Sequence, residues 1–439
     1  KIEEMARSFS VAFVVVVGTL GLGVLGSSVH NCCTKDTKFG PDMKKCCFML
    51  AENYTNFNHG SFGSAPYEVI AEQRAFQDQQ EARPDQWIRG GYEGYLQEVR
   101  NSLANFLHAN GTDMVFVENA SSGINAVLRS LKLQPGDVVL DLSIAYGMVK
   151  NTLSYLSERE GVTIVTVNVE FPGHGMTPTG EGGSDLVEAV QKALIAHRGH
   201  VKLASFSQIA SCPAVILPVL DLAKVAASEG VPVLIDGAHA FGQIPVDLTA
   251  MESAGVHFWV GNGHKWLYSP KGSAVLWVSK GMQAQIVPTV ISSAFPTGVV
   301  PRGSDFLNHF QYTGTRDYTP FCAMQAALNF RQRLGEDTLS HYCSSLALWA
   351  QKHLAEVWGT EYLLPDEMTA FMGHVRLPPN VPSDVGARLY QEEGIEVTVF
   401  PLATGNTTTP ALWLRLSAQV YLEQEDFRRL GQAVQKLLL

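Results

Sequence analysis

Five runs between Met114 and Ala238 are apolar almost throughout: "MVFVEN", "DVVLDL", "VTIVTVNV", "VKLASFS" and "VPVLIDGA". Each predicts a strand buried on both faces, since a strand with one wet face would alternate polar and apolar residues. Between them apolar positions recur every three or four residues. In "ASSGINAVLRSL", Ile124, Val127, Leu128 and Leu131 fall on one helical face. "AYGMVKNTLSYLSERE", "SDLVEAVQKALIAH" and "VLDLAKVAASEG" read the same way, the second from a Ser–Asp cap and the third to a stop at Gly230. Strand and helix in alternation predict an α/β fold, a mainly parallel sheet with helices on both faces. Ligands of such sheets lie at the carboxyl ends of the strands.

From about Gly335 the pattern changes to a long helix, "TLSHYCSSLALWAQKHLAEVWG". A strand near "AFMGHVRLP", a helix near "PSDVGARLYQEEG" and a last strand "ALWLRLS" follow. These predict a smaller C-terminal α+β domain. Residues 51 to about 85 precede the sheet and are expected to pack on it. The expected divisions are residues 1–28, 29–50, 51–310 (an N-terminal segment and the large domain) and 311–439 (an interface segment and the small domain).

The first division changes the picture of where the protein resides. "MARSFSVAFVVVVGTLGLGVLGSS" carries a lone Arg7, runs uncharged from Ser8, and ends in small residues, with Gly26 and Ser28 ahead of a cut before Val29. That is the layout of a secretory signal peptide. The uncharged run is also just long enough to span a bilayer, so an uncleaved membrane anchor is the competing reading. A genuine leader implies the secretory pathway, secreted or membrane-anchored; otherwise the protein is cytoplasmic. "GLGVLG" inside it matches a dinucleotide-binding fingerprint only formally, because no amphipathic helix follows. Cys32, Cys33, Cys46 and Cys47 make a Cys-rich linker over residues 29–50. In an oxidising compartment they could pair with one another or with another chain. Sequons stand at Asn53, Asn110, Asn119 and Asn406.

At 46% apolar and 17% charged, the 439 residues can build a sizeable core. A net charge of −10 and the lack of a basic stripe argue against nucleic acid as a partner. His239, His257 and His264 have no carboxylate or cysteine at ligand spacing, so no metal site is expected.

The chemistry-bearing residues fall at strand ends. After "VFVEN" the chain enters a helix through Ala120, Ser121, Ser122 and Gly123, small residues that leave N–H groups open to an anion. Asp236 ends "VPVLI". Lys265 follows twenty-nine residues later in "GNGHKW", after another apolar run. A phosphate cradle, an aspartate and a lysine on the ends of one sheet are what pyridoxal phosphate requires. Tyr146, beyond "VVLDL", is placed to cover its ring.

"NFNHGSFG", "ENASSGINAVL", "IDGAHAFGQIPVDL", "GNGHKWLYSPKG", "YTGTRDYTP" and "LWLRLSAQVYLEQEDFRRL" occur in that order over nearly all of the chain from Asn53. Through them the sequence resembles the class V aminotransferases of pyridoxal-phosphate fold type I. It is most similar to the isopenicillin N epimerase-like branch, whose relatives include cysteine lyases and desulfurases. The resemblance implies that Lys265 carries the cofactor and shuttles the substrate's α-proton, that Asp236 pairs with the pyridine nitrogen, and that Tyr146 stacks on the ring. It implies that Ala120, Ser121, His239, Asn262 and His264 lie around the cofactor, Gln208 near its hydroxyl, and Thr315 at its phosphate across a homodimer interface. Arg415 is expected to grip the substrate carboxylate, with Asn58 and His59 on the substrate side. One departure matters. "EEGIEVTVFPLATGNTTTPALWLRLS" holds no cysteine, and Cys343 falls in a predicted helix, so persulfide-forming desulfuration is not expected. β-Elimination at a C–S bond, epimerisation and transamination all remain open, the first of them preferred. A cofactor-free binding protein is disfavoured because Lys265, Asp236 and Arg415 all stand in place.

Overall fold

A computed structural model describes residues 32–295, 306–405, 407 and 409–438. The leader, residues 1–28, lies outside these. Among the described residues no helix is long and apolar enough to cross a membrane.

Seven strands form the central sheet: β1 (Met114–Val117), β2 (Val138–Leu142), β3 (Thr163–Val167), β4 (Val201–Ser207), β5 (Val233–Asp236), β6 (Val256–Asn262) and β7 (Ala274–Val278). Their order is β1-β7-β6-β5-β4-β2-β3, and only β7 runs against its neighbours. A three-stranded antiparallel sheet follows, from β8 (Met372–Arg376), β9 (Thr398–Leu402) and β10 (Ala411–Ser417), with β10 in the middle. The helices used below are α1 (Pro41–Cys47), α2 (Ala120–Ser130), α3 (Gly147–Glu160), α4 (Leu186–Ala196), α5 (Val219–Ser228) and α6 (Glu336–Trp358).

The strands at the centre of the large sheet are buried along their whole length, which is why they read as unbroken apolar runs. At the edge, β3 is partly exposed, as its threonines suggest. Asp185 caps α4 by accepting from Val187 and Glu188 N–H, so the Asp of the expected Ser–Asp pair does the capping. α2 lies close on the sheet because Gly123 has no side chain: a Cβ there would sit 2.7 Å from Val260 Cγ1.

The N-terminal region departs from expectation. The Cys-rich stretch is no linker. It folds as α1, closed by Cys32–Cys46 and Cys33–Cys47. Gly40 N–H donates to Val420 O, and Met43, Cys47 and Phe48 are buried. Phe48 meets Tyr268, Phe330 and Tyr421 edge-on. Next along the chain, Thr55–Asn56 pairs in parallel with Ile395–Glu396. Residues 51–58 therefore dock on the C-terminal part, not on the large sheet. The stretch "ENYTNFN" cannot announce this, because its strand partner, Ile395–Glu396, lies more than 300 positions away.

Candidate active site

At the carboxyl ends of β1, β2, β4, β5 and β6 opens a cavity of about 180 Å³. Ser121, Tyr146, Ser207, Asp236, His239, Asn262, His264 and Lys265 all line it, although they come from five strand ends. The parallel arrangement delivers them together, since every one of these strands ends on the same side.

Lys265 stands just after β6 with its Nζ 3.0 Å from His239 Nε2. The indole N–H of Trp266 can only donate, and it lies 3.4 Å from His239 Nδ1. That makes Nδ1 an acceptor and leaves Nε2 as the N–H, which donates to the lysine lone pair. Both groups are pushed toward their neutral forms. Burial, and then the Arg415 guanidinium, push the Lys265 ammonium down to about 7. Burial and then the Lys265 charge push His239 well below the usual imidazole range. A lysine so placed is a nucleophile at neutral pH.

Asp236 ends β5 and is buried, its Oδ1 accepting from Ala238 N–H at 3.0 Å. Burial raises its pKa, so the site favours a cationic partner for this carboxylate. At the head of α2, Asn119 Oδ1 accepts from Ser122 N–H at 2.9 Å and Asn262 Oδ1 accepts from Ala120 N–H at 2.8 Å. Ala120 and Asn262 thus satisfy each other, and Ser121 is the residue there whose polar groups remain for an anion. His264 lines the cavity while its Nδ1 donates to Ser273 O at 3.1 Å, and burial pushes its pKa down to about 4. Tyr146 is 51% exposed and offers its ring to the cavity.

Arg415, in the middle of β10, is buried with His374 and Thr398 as strand partners. Its Nη1 donates to Ser211 O and Oγ, and its Nη2 to Asn58 Oδ1 and Ser61 Oγ, both at 2.9 Å. Among the described residues no hydrogen-bond acceptor meets its Nε. Ser61 and Ser211 line the cavity, so the guanidinium lies directly behind its wall.

Four expected residues fall elsewhere. Gln208 is buried with its Oε1 accepting from Trp259 N–H at 3.0 Å, and it does not line the cavity. Alternation explains this: Ser207 and Ile209 face the cavity, and the residue between them faces the other way. His59 is fully buried beneath the site. Its Nε2 donates to Lys265 O at 2.9 Å, so its Nδ1 accepts from the Tyr421 hydroxyl, also at 2.9 Å. It supports the lysine's backbone and does not face substrate. Close by, Gly63 adopts φ +68, and a Cβ there would strike His264 O, so only glycine lets this loop lie against the lysine segment. Asn58 does not line the cavity either, and acts through Arg415. Thr315 is exposed, near Tyr312, and is not part of this chain's cavity. Conversely, Ser61, Phe62, Ser211, Cys212 and Trp266 went unnoticed. Of these only Ser61 and Phe62 lay inside a quoted substrate-side motif.

The family model described as Aminotransferase class-V matches residues 66–430. The chain belongs to this family. Among relatives of this class V protein, an L-cysteine desulfhydrase-like protein of Epichloe uncinata, lolT1, is 31% identical, covering 91% of this chain and 96% of the relative. The isopenicillin N epimerase of Streptomyces clavuligerus is 27% identical, over 89% and 96%. Among solved structures, the cystine C-S lyase C-DES in complex with cysteine persulfide superposes with a TM-score of 0.72 at 19% identity, covering 88% and 98%. That superposition shows the shared fold, fold type I of the pyridoxal-phosphate enzymes.

Class V enzymes use pyridoxal phosphate, and the residues here fit it. Lys265 is an amine open to the cavity whose ammonium burial pushes down to about 7, Asp236 is a buried carboxylate suited to a protonated ring nitrogen, Ser121 stands at a helix N-terminus for the phosphate, and Tyr146 presents an aromatic face.

Proposed function

We propose that this class V enzyme is a lyase that breaks the Cβ–S bond of a cysteine-derived amino acid. The observation that carries the reading is the pairing of Lys265 Nζ with His239 Nε2 above Asp236, in a cavity backed by Arg415. The desulfhydrase-like relative, aligned over nearly its whole length, supports the choice among reactions.

Bound pyridoxal phosphate supplies an electron-withdrawing ring that makes the substrate's Cα–H acidic. Asp236 keeps the proton on the ring nitrogen. Ser121 and the α2 N-terminus hold the phosphate, and Tyr146 lies against the ring. Arg415 binds the α-carboxylate; displacing a Ser211 or Ser61 contact frees two parallel N–H donors for it. Lys265 Nζ then takes the Cα proton with the lone pair that otherwise accepts the N–H of His239. Trp266 fixes the His239 tautomer that carries that N–H. A leaving thiolate departs from Cβ without any further protein group being oxidised.

An epimerase would use the same residues, and the relative of that name keeps this as the second reading. Incubating the cofactor-loaded protein with L-cysteine and its derivatives, while following pyruvate, sulfide and optical rotation together, separates the two. Pyruvate is expected, and none from the Lys265→Ala protein. Racemised substrate without pyruvate would overturn the lyase assignment.

The active unit proposed is a homodimer. Phe62 is 72% exposed although it lines the cavity, as is Tyr146 in part, and a second copy would cover both. Thr315 is then free to reach the partner's phosphate. Export through the secretory pathway is proposed from the leader and is supported by two disulfides among the first described residues.

A further inference from the structure

We infer that a cleft beside the active cavity receives the sulfur substituent, so that the substrate is an L-cysteine bearing a polar group of several heavy atoms on its sulfur. The inference rests on the lyase reading.

The cavity, at about 180 Å³, must hold the cofactor together with the amino acid. Free cysteine needs nothing more. Next to it, however, lies a cleft of about 1010 Å³. The two are joined along the chain: Tyr146 and Ser211 line the cavity, and their chain neighbours Ala145 and Cys212 line the cleft. Arg415 marks the junction, because its Nη1 donates to Ser211 O at 2.9 Å. A substrate held there by its carboxylate has the cofactor on one side and the cleft on the other, and only the cleft has room for a long substituent.

The walls specify the chemistry of the substituent. Lys150 and Glu170 stand on them with opposite charges. Lys150 Nζ donates to Ser143 O at 2.6 Å and has two further N–H bonds; Glu170 Oε1 accepts from Gly182 N–H at 3.1 Å, with Oε2 still to be used. A substituent carrying both an anionic and a cationic end would satisfy both, and a hydrocarbon would strand them. The reaction balances without an oxidant or reductant. Cα loses a proton, the Cβ–S electron pair leaves with sulfur, the sulfur gains a proton, and water completes the release of pyruvate and ammonium.

S-methyl-L-cysteine and L-cystathionine test this, because both break a thioether Cβ–S bond and release an alkyl thiolate, so their leaving groups are alike. The cofactor-loaded protein should turn over L-cystathionine with at least about tenfold higher kcat/KM, the equivalent of about 1.4 kcal/mol. Ala403, exposed on the far wall after β9, offers a way to fill the cleft. In the Ala403→Trp protein that preference should fall at least about tenfold, and the midpoint of the absorbance change on titrating in L-cystathionine should rise with it. Pyruvate formed from both substrates equally well, with the variant unchanged, would overturn the cleft assignment and leave the lyase reading intact. Pyruvate from neither, nor from L-cysteine, would overturn both.

Discussion

In the proposed reaction the cofactor is held between two residues at neighbouring strand ends. Asp236 and Lys265 each follow an apolar strand, and in a parallel sheet the end of a strand is an address. Orientation was not legible. His59 sits in a motif next to substrate, yet its imidazole turns down onto Lys265 O and Tyr421, and Gln208 missed the cavity by a single step of strand alternation. Ser211 and Cys212 become site residues only because β10 brings Arg415 to them across more than 200 positions. Two predictions belong at this scale. Since burial brings the Lys265 ammonium down to about 7, the rate at which stripped protein takes up pyridoxal phosphate should rise with pH and level off near 8. Stopped-flow absorbance from pH 5.5 to 10 checks it, and a rate still climbing at pH 10 would mean an ordinary lysine. Asp141 is the second case. It is buried in β2, and burial pushes its carboxyl up to about 7. A folded-state pKa above the unfolded one means that the native state prefers the proton, so stability is lost as pH rises from about 4 to about 7 and is level beyond. The Asp141→Asn protein should therefore melt above wild type at pH 8, with the gap closing toward pH 4. A gap independent of pH in calorimetry would refute the assignment.

At the scale of elements, the strands β1, β2, β4, β5 and β6 were readable because two-sided burial leaves an unmistakable apolar run, and their helices because of a 3.6-residue period. What the pattern could not reveal was α1. Seven residues with four nearby cysteines carry no periodicity of their own, and their order comes from crosslinks and from Phe48 entering an aromatic cluster. The bridges Cys32–Cys46 and Cys33–Cys47 each close a loop with a sequence separation of 14. In the chain-entropy picture one such closure is worth about 3 kcal/mol, and a second bridge one residue along closes a loop that is already shut. Replacing either pair by serine should cost under about 1 kcal/mol by entropy, with somewhat more for the buried Cys47 pair, while replacing all four should cost about 3 kcal/mol. Denaturant melts of the three proteins decide it, and strictly additive losses would contradict the shared-loop argument.

For the whole molecule the test is of the proposed dimer. A Lys265→Ala chain and a Thr315→Asp chain should each be inactive, the second because a carboxylate faces the phosphate. Co-expressed at equal levels they form mixed dimers with one intact site, restoring roughly a quarter of full activity if subunits pair at random. No restoration, with light scattering giving the mass of a single chain, would refute a shared site. Neither Thr315's destination nor any second copy could be read from hydrophobic pattern, which reports burial within one chain.

The pairing of Thr55–Asn56 with Ile395–Glu396 also sets a timetable for biosynthesis. Among the described residues the strand that leads into the phosphate cradle, β1, has only β7 as its ladder partner, so the cradle waits for some 160 residues of further translation. Residues 55–56 wait about 340, which at typical elongation rates of 5–20 residues per second is roughly 20–70 s. The bridges of α1, by contrast, are local and can close as soon as residue 47 reaches an oxidising lumen. That segment would then sit as a small crosslinked knot while the catalytic machinery is made behind it, and would be seated last, once Val420 and Tyr421 arrive to receive it.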